Sequence, residues 1–186
     1  MRPGDRVLGR ILIRHPMKPS GELHYWPAHD SADETECVIV SPSKMASLRP
    51  NASARFQAAH RDRPDHPGVL PCRAWGAQKG RDVAALPPHT PLPSLALPAD
   101  EALSLLDWLI PAVAASAQAL GGELDGSDLA QTPDGSVLVN PSGVTRERSI
   151  SQLPLHLAPE AQLGHSASTP AAALYGLGVC FFHAIT

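Results

Sequence analysis

The chain has 186 residues, 43% of them hydrophobic and 18% charged, with a formal net charge of -3. That length holds one domain or two small lobes around a buried core, and the apolar share excludes a chain disordered throughout. The 15 basic residues form no stripe, which removes the electrostatic footprint of a nucleic-acid binder.

Arg6–Arg14 is β-branched enough for a strand, with Gly21–Trp26 as its hairpin partner. Glu36–Val40 reads as a buried strand. Ser53–His60 is rich in helix formers and is stopped by Pro64. Gly68–Trp75 and Arg81–Leu86 read as further strands. The stretch 87–98 holds Pro87, Pro88, Pro91, Pro93 and Pro98 and reads as a linker between two lobes.

A long helix follows, with Asp100 and Glu101 at the positive end of its dipole. Leu103, Leu106, Ile110, Val113, Ala117 and Leu120 repeat at three and four residues and predict one apolar stripe. Pro111 removes a backbone donor and predicts a kink, and Gly121-Gly122 ends the helix. Leu129–Val139 is a hairpin around the turn Pro133-Asp134-Gly135. Ser142–Pro154 reads as a loop. Ala171–Thr186 is apolar nearly all round. It is short for a membrane span and predicts a buried helix.

Cys37, Cys72 and Cys180 are too widely spaced for a disulfide framework or a paired metal motif. They read as free thiols in a reducing compartment. Charges interrupt the apolar run of Met1–Arg14, so it does not read as a signal peptide. The expected location is cytoplasmic.

Four stretches resemble the eukaryotic-type Ser/Thr protein kinases, in the family's order. Arg55-Phe56 followed by Asp65-His66-Pro67 resembles the regulatory helix and its "DHPNIV" exit. Thr132-Pro133-Asp134-Gly135-Ser136-Val137 resembles the "TPDGRVKL" hairpin. Ala158-Pro159-Glu160 resembles the APE motif, and Tyr175-Gly176-Leu177-Gly178-Val179 resembles the "YALGV" start of a buried helix.

Phosphoryl transfer needs a phosphate cradle, cations, metal ligands and a base, and the resemblance assigns each a position. The glycine-rich loop falls on Leu8–Arg14, with Gly9 alone. The strand lysine falls on Val40, although a shifted register would bring Lys44 there, and its glutamate partner falls near Ala59. The catalytic loop falls on residues 121–128. Its base becomes Glu123, its lysine Asp125 and its metal-binding asparagine Asp128. The Asp-Phe-Gly motif falls on Pro141-Ser142-Gly143, and the aspartate opening the buried helix falls on Ala173. The hinge, whose N–H groups bind the base in the family, falls on Pro87 and Pro88, which have none. Losing parts that act as a unit removes essentially all acceleration. Glu123 and Asp128, still carboxylates, read as solvated loop acids.

The nine histidines, among them His24, His29, His60 and His66, read as surface or capping groups rather than ligands. Cys72 reads as a buried thiol, and Trp26, Trp75 and Trp108 as packing residues. Ser149 and Ser151 follow Arg146 and Arg148 and read as a polar loop. Glu160 pairs in the family with an arginine beyond the buried helix. The chain therefore reads either as the N-terminal part of a longer protein or as a fold with a minimal lower lobe.

The resemblance implies an α+β, protein-kinase-like bilobal fold. A strand-rich N-lobe spans 1–90, and a truncated, mostly helical C-lobe spans 91–186. It implies a pseudokinase, not an enzyme, that binds a protein partner as a scaffold or regulator. No metal or cofactor is expected, nor is ATP/Mg binding. The alternatives are a nucleotide-binding pseudokinase sensor and a kinase-fold enzyme with redirected chemistry.

Overall fold

The computed structural model describes the chain apart from residues 21, 93–96, 122–123, 125, 143–156, 163–168 and 186. It divides into two compact units. The first holds Met1–Asp62 and Pro71–His89. The second holds Arg63–Leu70, Thr90–Ser142 and the described residues from 157 onward.

The first unit is an antiparallel sheet of seven strands: β1 (Arg6–Val7), β2 (Ile11–Ile13), β3 (Lys18–Ser20), β4 (Leu23–Asp30), β5 (Thr35–Pro42), β6 (Ala74–Gln78) and β7 (Arg81–Leu86). Their order is β1-β2-β4-β5-β7-β6, with β3 paired to the far end of β4. The single strand expected over Arg6–Arg14 is broken. Leu8 and Gly9 adopt left-handed φ values of 49° and 76°, and the turn they make folds β1 back on β2. That turn takes the place where a glycine-rich loop was expected. The connection between β2 and β4, residues 14–22, carries β3 instead. The β4–β5 hairpin is closed by its own carboxylates. Asp30 accepts from the Ala32 N–H at 3.0 Å, and Asp33 accepts from the N–H and the hydroxyl of Thr35.

Residues directly opposite across an antiparallel ladder share a face. Trp26, Ile39 and Ala85 form one row, and Ala28 and Cys37 another. With Val7, Ile11 and Ile13 they make this unit's core. Two helices flank the sheet, α1 (Lys44–Ser47), capped by the Ser43 side chain, and α2 (Ala52–Arg61). α2 packs on β6 and β7 and buries Phe56, Ala59 and His60.

The second unit is built around α3 (Ala99–Leu120) and α5 (Pro170–Ile185), which pack together. A small antiparallel sheet, in the order β10 (Val137–Val139), β9 (Leu129–Gln131) and β8 (Thr90–Pro91), completes it. A 3₁₀ turn at Gly126–Asp128 precedes β9, and α4 is the short helix Pro159–Gln162. Leu109, Leu124, Leu129 and Leu177 are fully buried, each contributing about 1.5–3 kcal/mol of hydrophobic stabilisation.

α3 ends as its sequence predicts, on Gly121 at φ 69°. Its buried stripe agrees in part, at Val113, Ala117 and Leu120. The inward residues are Ala102, Leu109, Ala112, Val113, Ser116, Ala117 and Leu120, whereas Leu103 is 64% and Ile110 39% exposed. α3 packs against α5, and Ala102, Leu109, Val113 and Ala117 of α3 share one core with Ala173, Leu177 and Phe181 of α5. The helix runs unbroken through Pro111. Asp107 and Pro111 both lie on the exposed side, so the carbonyl that loses its i+4 donor faces water. α3 is long and apolar enough to cross a membrane by length and composition, and its inward face supplies this unit's core. α5 is not buried all round. Its outer face shows Tyr175 at 40% and Phe182 at 61% exposure.

Gly68 sits where the loop 63–70 meets α3. A Cβ there would lie 2.8 Å from the Ala112 Cβ, closer than carbon atoms pack.

Candidate functional site

The candidate site in the first unit is the sheet face opposite its core. The row Lys18, Tyr25, Val40, Ala84 and Trp75 crosses this face from β3 to β6, beside the row Pro27, Val38 and Leu86. Val40, where the resemblance puts the strand lysine, is 1% exposed, Ala84 and Leu86 are 0%, and Tyr25 is 7%. A cation at Val40 would be desolvated with no carboxylate opposite it in the row. Lys44 is the first residue of α1, beyond the end of β5, and is exposed, so no shift of register brings it to this face. The row's cation is Lys18, exposed and across Tyr25 from Val40. Ala59, near which the resemblance puts the glutamate, is buried on α2.

At the exit of β7, Pro87 and Pro88 lack N–H donors. The His89 Nδ1 donates to the Pro87 carbonyl at 2.9 Å, and the His89 ring meets the Tyr25 ring edge-on, centroids 5.7 Å apart at 70°. The Pro87 carbonyl is thus engaged by the chain's own imidazole.

In the second unit the corresponding positions are held by backbone. Asp128 is 4% exposed at the end of the 3₁₀ turn, and its carbonyl accepts from the Asn140 N–H at 2.7 Å. It is therefore buried rather than a solvated loop acid. Pro141 is buried and offers only its carbonyl, which accepts from Arg63 Nη2 at 2.8 Å. Arg63 Nη1 also donates to the Leu70 carbonyl at 2.5 Å and to Asn140 Oδ1 at 3.3 Å. Leu70 N–H in turn donates to Val139 at 2.8 Å, and Val139 N–H to Gly68 at 2.9 Å. Arg63 thus ties the loop 63–70 to the end of β10. Ala173 is 0% exposed in the α3–α5 core. Glu123 and Asp125 lie outside the described residues, as do Arg146, Arg148, Ser149 and Ser151. Glu160 is the second residue of α4, after the buried Leu157 and Ala158 and the first helical residue Pro159.

The histidines divide by environment. His60 is 3% exposed and donates to the Phe56 carbonyl at 2.8 Å, so it is a core group. His66 caps the loop, accepting from the Gly68 N–H at 3.0 Å. Burial, and then the nearby Arg81 charge, push the His24 pKa down. His29 lies 3.1 Å from Glu34 and 3.2 Å from Glu36, and the Glu34 hydrogen bond above all raises its pKa. Burial pushes the Cys37 thiol up to about 11. Cys72 is partly exposed and donates to the Ala74 carbonyl at 3.4 Å. Trp26 is core, whereas Trp75 and Trp108 are 39% and 45% exposed. Among the described residues no three His, Cys, Asp or Glu side chains converge as a metal cage.

No family model matches the chain, and no curated protein does. Solved structures do. The kinase domain of Mycobacterium tuberculosis PknI superposes with a TM-score of 0.78 at 18% identity, over 100% of this chain and 77% of that one. A double mutant of that domain gives 0.79 at 18%, over 100% and 78%. A further structure of it gives 0.78 at 17%, over 100% and 75%.

The fold is protein-kinase-like.

This corrects one expectation. The sequence reading places the chain outside the enzymes, yet the structures it superposes on are kinase domains. The fold is one that carries phosphoryl transfer, and inactivity does not follow from it. The strand order, the flanking α2 and the α3–α5 pair agree with the kinase-like α+β reading. Sequence reasoning missed Arg63 as a hub and the Tyr25–His89 pair.

Proposed function

We propose that this chain is a regulatory, protein-binding module on a kinase-like fold, acting as a scaffold in signalling. The observation that carries this reading is the set of large apolar side chains exposed on both long helices of the second unit, with Leu103 and Ile110 on one flank of α3 and Trp108 on the other. Leu103, Trp108 and Ile110 on α3 are 64%, 45% and 39% exposed, and Tyr175 and Phe182 on α5 are 40% and 61% exposed. Large exposed apolar side chains on helices whose other faces form a core are what a protein partner covers, and aromatic groups anchor such interfaces. The partner is a protein. Nucleic acid does not suit a net charge of -3. ATP with magnesium is not part of the role, because Val40 supplies no cation and Pro141 no side-chain oxygen. The setting is cytoplasmic, in keeping with three free cysteines.

The test places a photo-crosslinking phenylalanine analogue at Phe182 in cells, followed by affinity measurements on the purified pair. The reading expects one defined partner, with Phe182→Glu and Trp108→Glu each weakening it at least about tenfold while the fold is kept. A partner whose affinity neither substitution moves would contradict it.

A further inference from the structure

His29 stands near the end of β4, opposite Leu12 of β2 and Glu36 of β5. Both of its ring nitrogens reach carboxylates. Nδ1 lies 3.2 Å from Glu36 Oε1, and Nε2 lies 3.1 Å from Glu34 Oε2. A carboxylate only accepts, and a neutral imidazole carries one N–H. Both contacts are therefore hydrogen bonds only when the ring is an imidazolium that donates twice. A neutral ring turns a lone pair toward one of the two carboxylates.

The two carboxylates are not held alike. Glu36 belongs to the β4–β5 ladder, directly opposite His29. Glu34 lies in the turn between the strands, its side chain 79% exposed. Its φ is 54°, a left-handed value uncommon for a residue with a side chain. The rest of the turn is tied to other groups. Asp30 pairs with Arg10 at 3.1 Å, the Ser31 hydroxyl donates to the Arg10 carbonyl at 2.7 Å, and Asp33 accepts from the Thr35 N–H at 3.2 Å. Arg73 donates to the Glu36 carbonyl at 3.1 Å. The remaining charges beside His29 are Arg14, which follows β2, and Arg6, one strand further along the same row. Neither can accept a ring proton. The Glu34 hydrogen bond above all raises the His29 pKa, against burial and the Arg14 charge.

We propose that His29 is a pH-operated clamp on the β4–β5 turn, whose charged ring holds Glu34 and whose neutral ring releases Glu34 while keeping Glu36. Glu34 is the one that leaves, because release relieves its left-handed backbone and no ladder holds it. The raised pKa means that the clamp is closed at low pH and opens as pH rises through the folded value. The open turn presents a free carboxylate that the closed turn does not.

The test is an NMR titration of the 186-residue chain from about pH 5.5 to 9, across the range where histidine changes charge. It follows the His29 ring and the amides of residues 31–35 together. The clamp predicts one shared midpoint, above the ordinary 6.5. His29→Gln, which does not titrate, should abolish the turn's transition. Glu34→Ala should abolish it too, while His29 still titrates, at lower pH. Glu36→Ala should leave the turn's transition in place. Turn amides that do not move with His29 overturn the clamp, as does a transition that persists in His29→Gln. A transition that survives Glu34→Ala reports ring charge alone and also overturns it. Should a variant not fold, the ring protons of the unmodified chain decide. Below the midpoint both must be slowed in exchange by their carboxylates, and a freely exchanging proton at Nε2 overturns the clamp. The titration does not involve α3 or α5, so the clamp and the protein-binding role fail separately.

Discussion

Replacing Arg63 by alanine removes two close donors and one longer one from a single guanidinium. The lost bonds run to the Leu70 carbonyl at 2.5 Å, the Pro141 carbonyl at 2.8 Å and Asn140 Oδ1 at 3.3 Å. Leu70 is 0% and Asn140 3% exposed, so water does not easily replace the donor. A hydrogen bond from a charged donor contributes about 1.5–3 kcal/mol. The two short bonds then sum to roughly 3–6 kcal/mol, and partial solvation of the opened site reduces the expected loss to about 3–5 kcal/mol. Against a typical stability of about 5–15 kcal/mol this is a large fraction. Arg63→Lys keeps the charge but not the planar fork, and should recover about half. Urea unfolding measures both variants, with an unchanged m-value as the check that only stability moved. Hydrogen exchange should rise first at Val139 and Asn140, whose amides lie on either side of the tie. A loss for Arg63→Ala below about 0.5 kcal/mol, the scatter of ordinary surface changes, would refute the hub.

Three further outcomes follow from local geometry. Gly68→Ala should cost about 1–3 kcal/mol in thermal unfolding, because its Cβ meets the Ala112 Cβ at 2.8 Å. Adding Ala112→Gly should return part of that loss, less the propensity cost of a helical glycine. His29 should titrate in NMR above its ordinary 6.5, and Glu34→Gln should bring it down, since the Glu34 hydrogen bond is the main cause of the rise. A raised folded pKa means that the protonated form favours the native state. This stabilisation is complete below about pH 6.5 and is lost as pH rises through the folded value. Cys37, raised to about 11 by burial, should resist alkylation at pH 8 in the folded chain and react once unfolded, because the thiolate is the nucleophile.

The parts of the fold legible in the sequence are those set by local chemistry. Gly121 ended α3 because only a left-handed cap follows so regular a run, and Pro133-Asp134-Gly135 made the β9–β10 turn through the Thr132–Asp134–Ser136 bonds. The α3 stripe was misread for a physical reason. Hydropathy ranks leucine above alanine, but the core seats Ala102 and Ala112 while Leu103 and Ile110 lie outward. The β1–β2 turn was missed because it puts Leu8, a residue that rarely adopts positive φ, at 49°. Val40 and Ala59, singled out by the resemblance, both lie buried, on β5 and α2. Arg63 bridges 77 and 78 residues to reach Asn140 and Pro141. Tyr25 on β4 and His89 in the segment after β7 meet from far apart in the chain. No local pattern records such pairings.

The central proposal is that the first unit's sheet face is filled by its own side chains, Tyr25, Val40 and Ala84 among them, and takes no nucleotide. Thermal unfolding of the unmodified chain with millimolar ATP, ADP or GTP, each with and without magnesium, tests it most directly. A ligand at about a hundred times its dissociation constant adds about 2.7 kcal/mol to the folded state, or roughly 5–10 °C for a chain of this size. The account predicts no shift with any of them. A saturable rise in the transition temperature would contradict it.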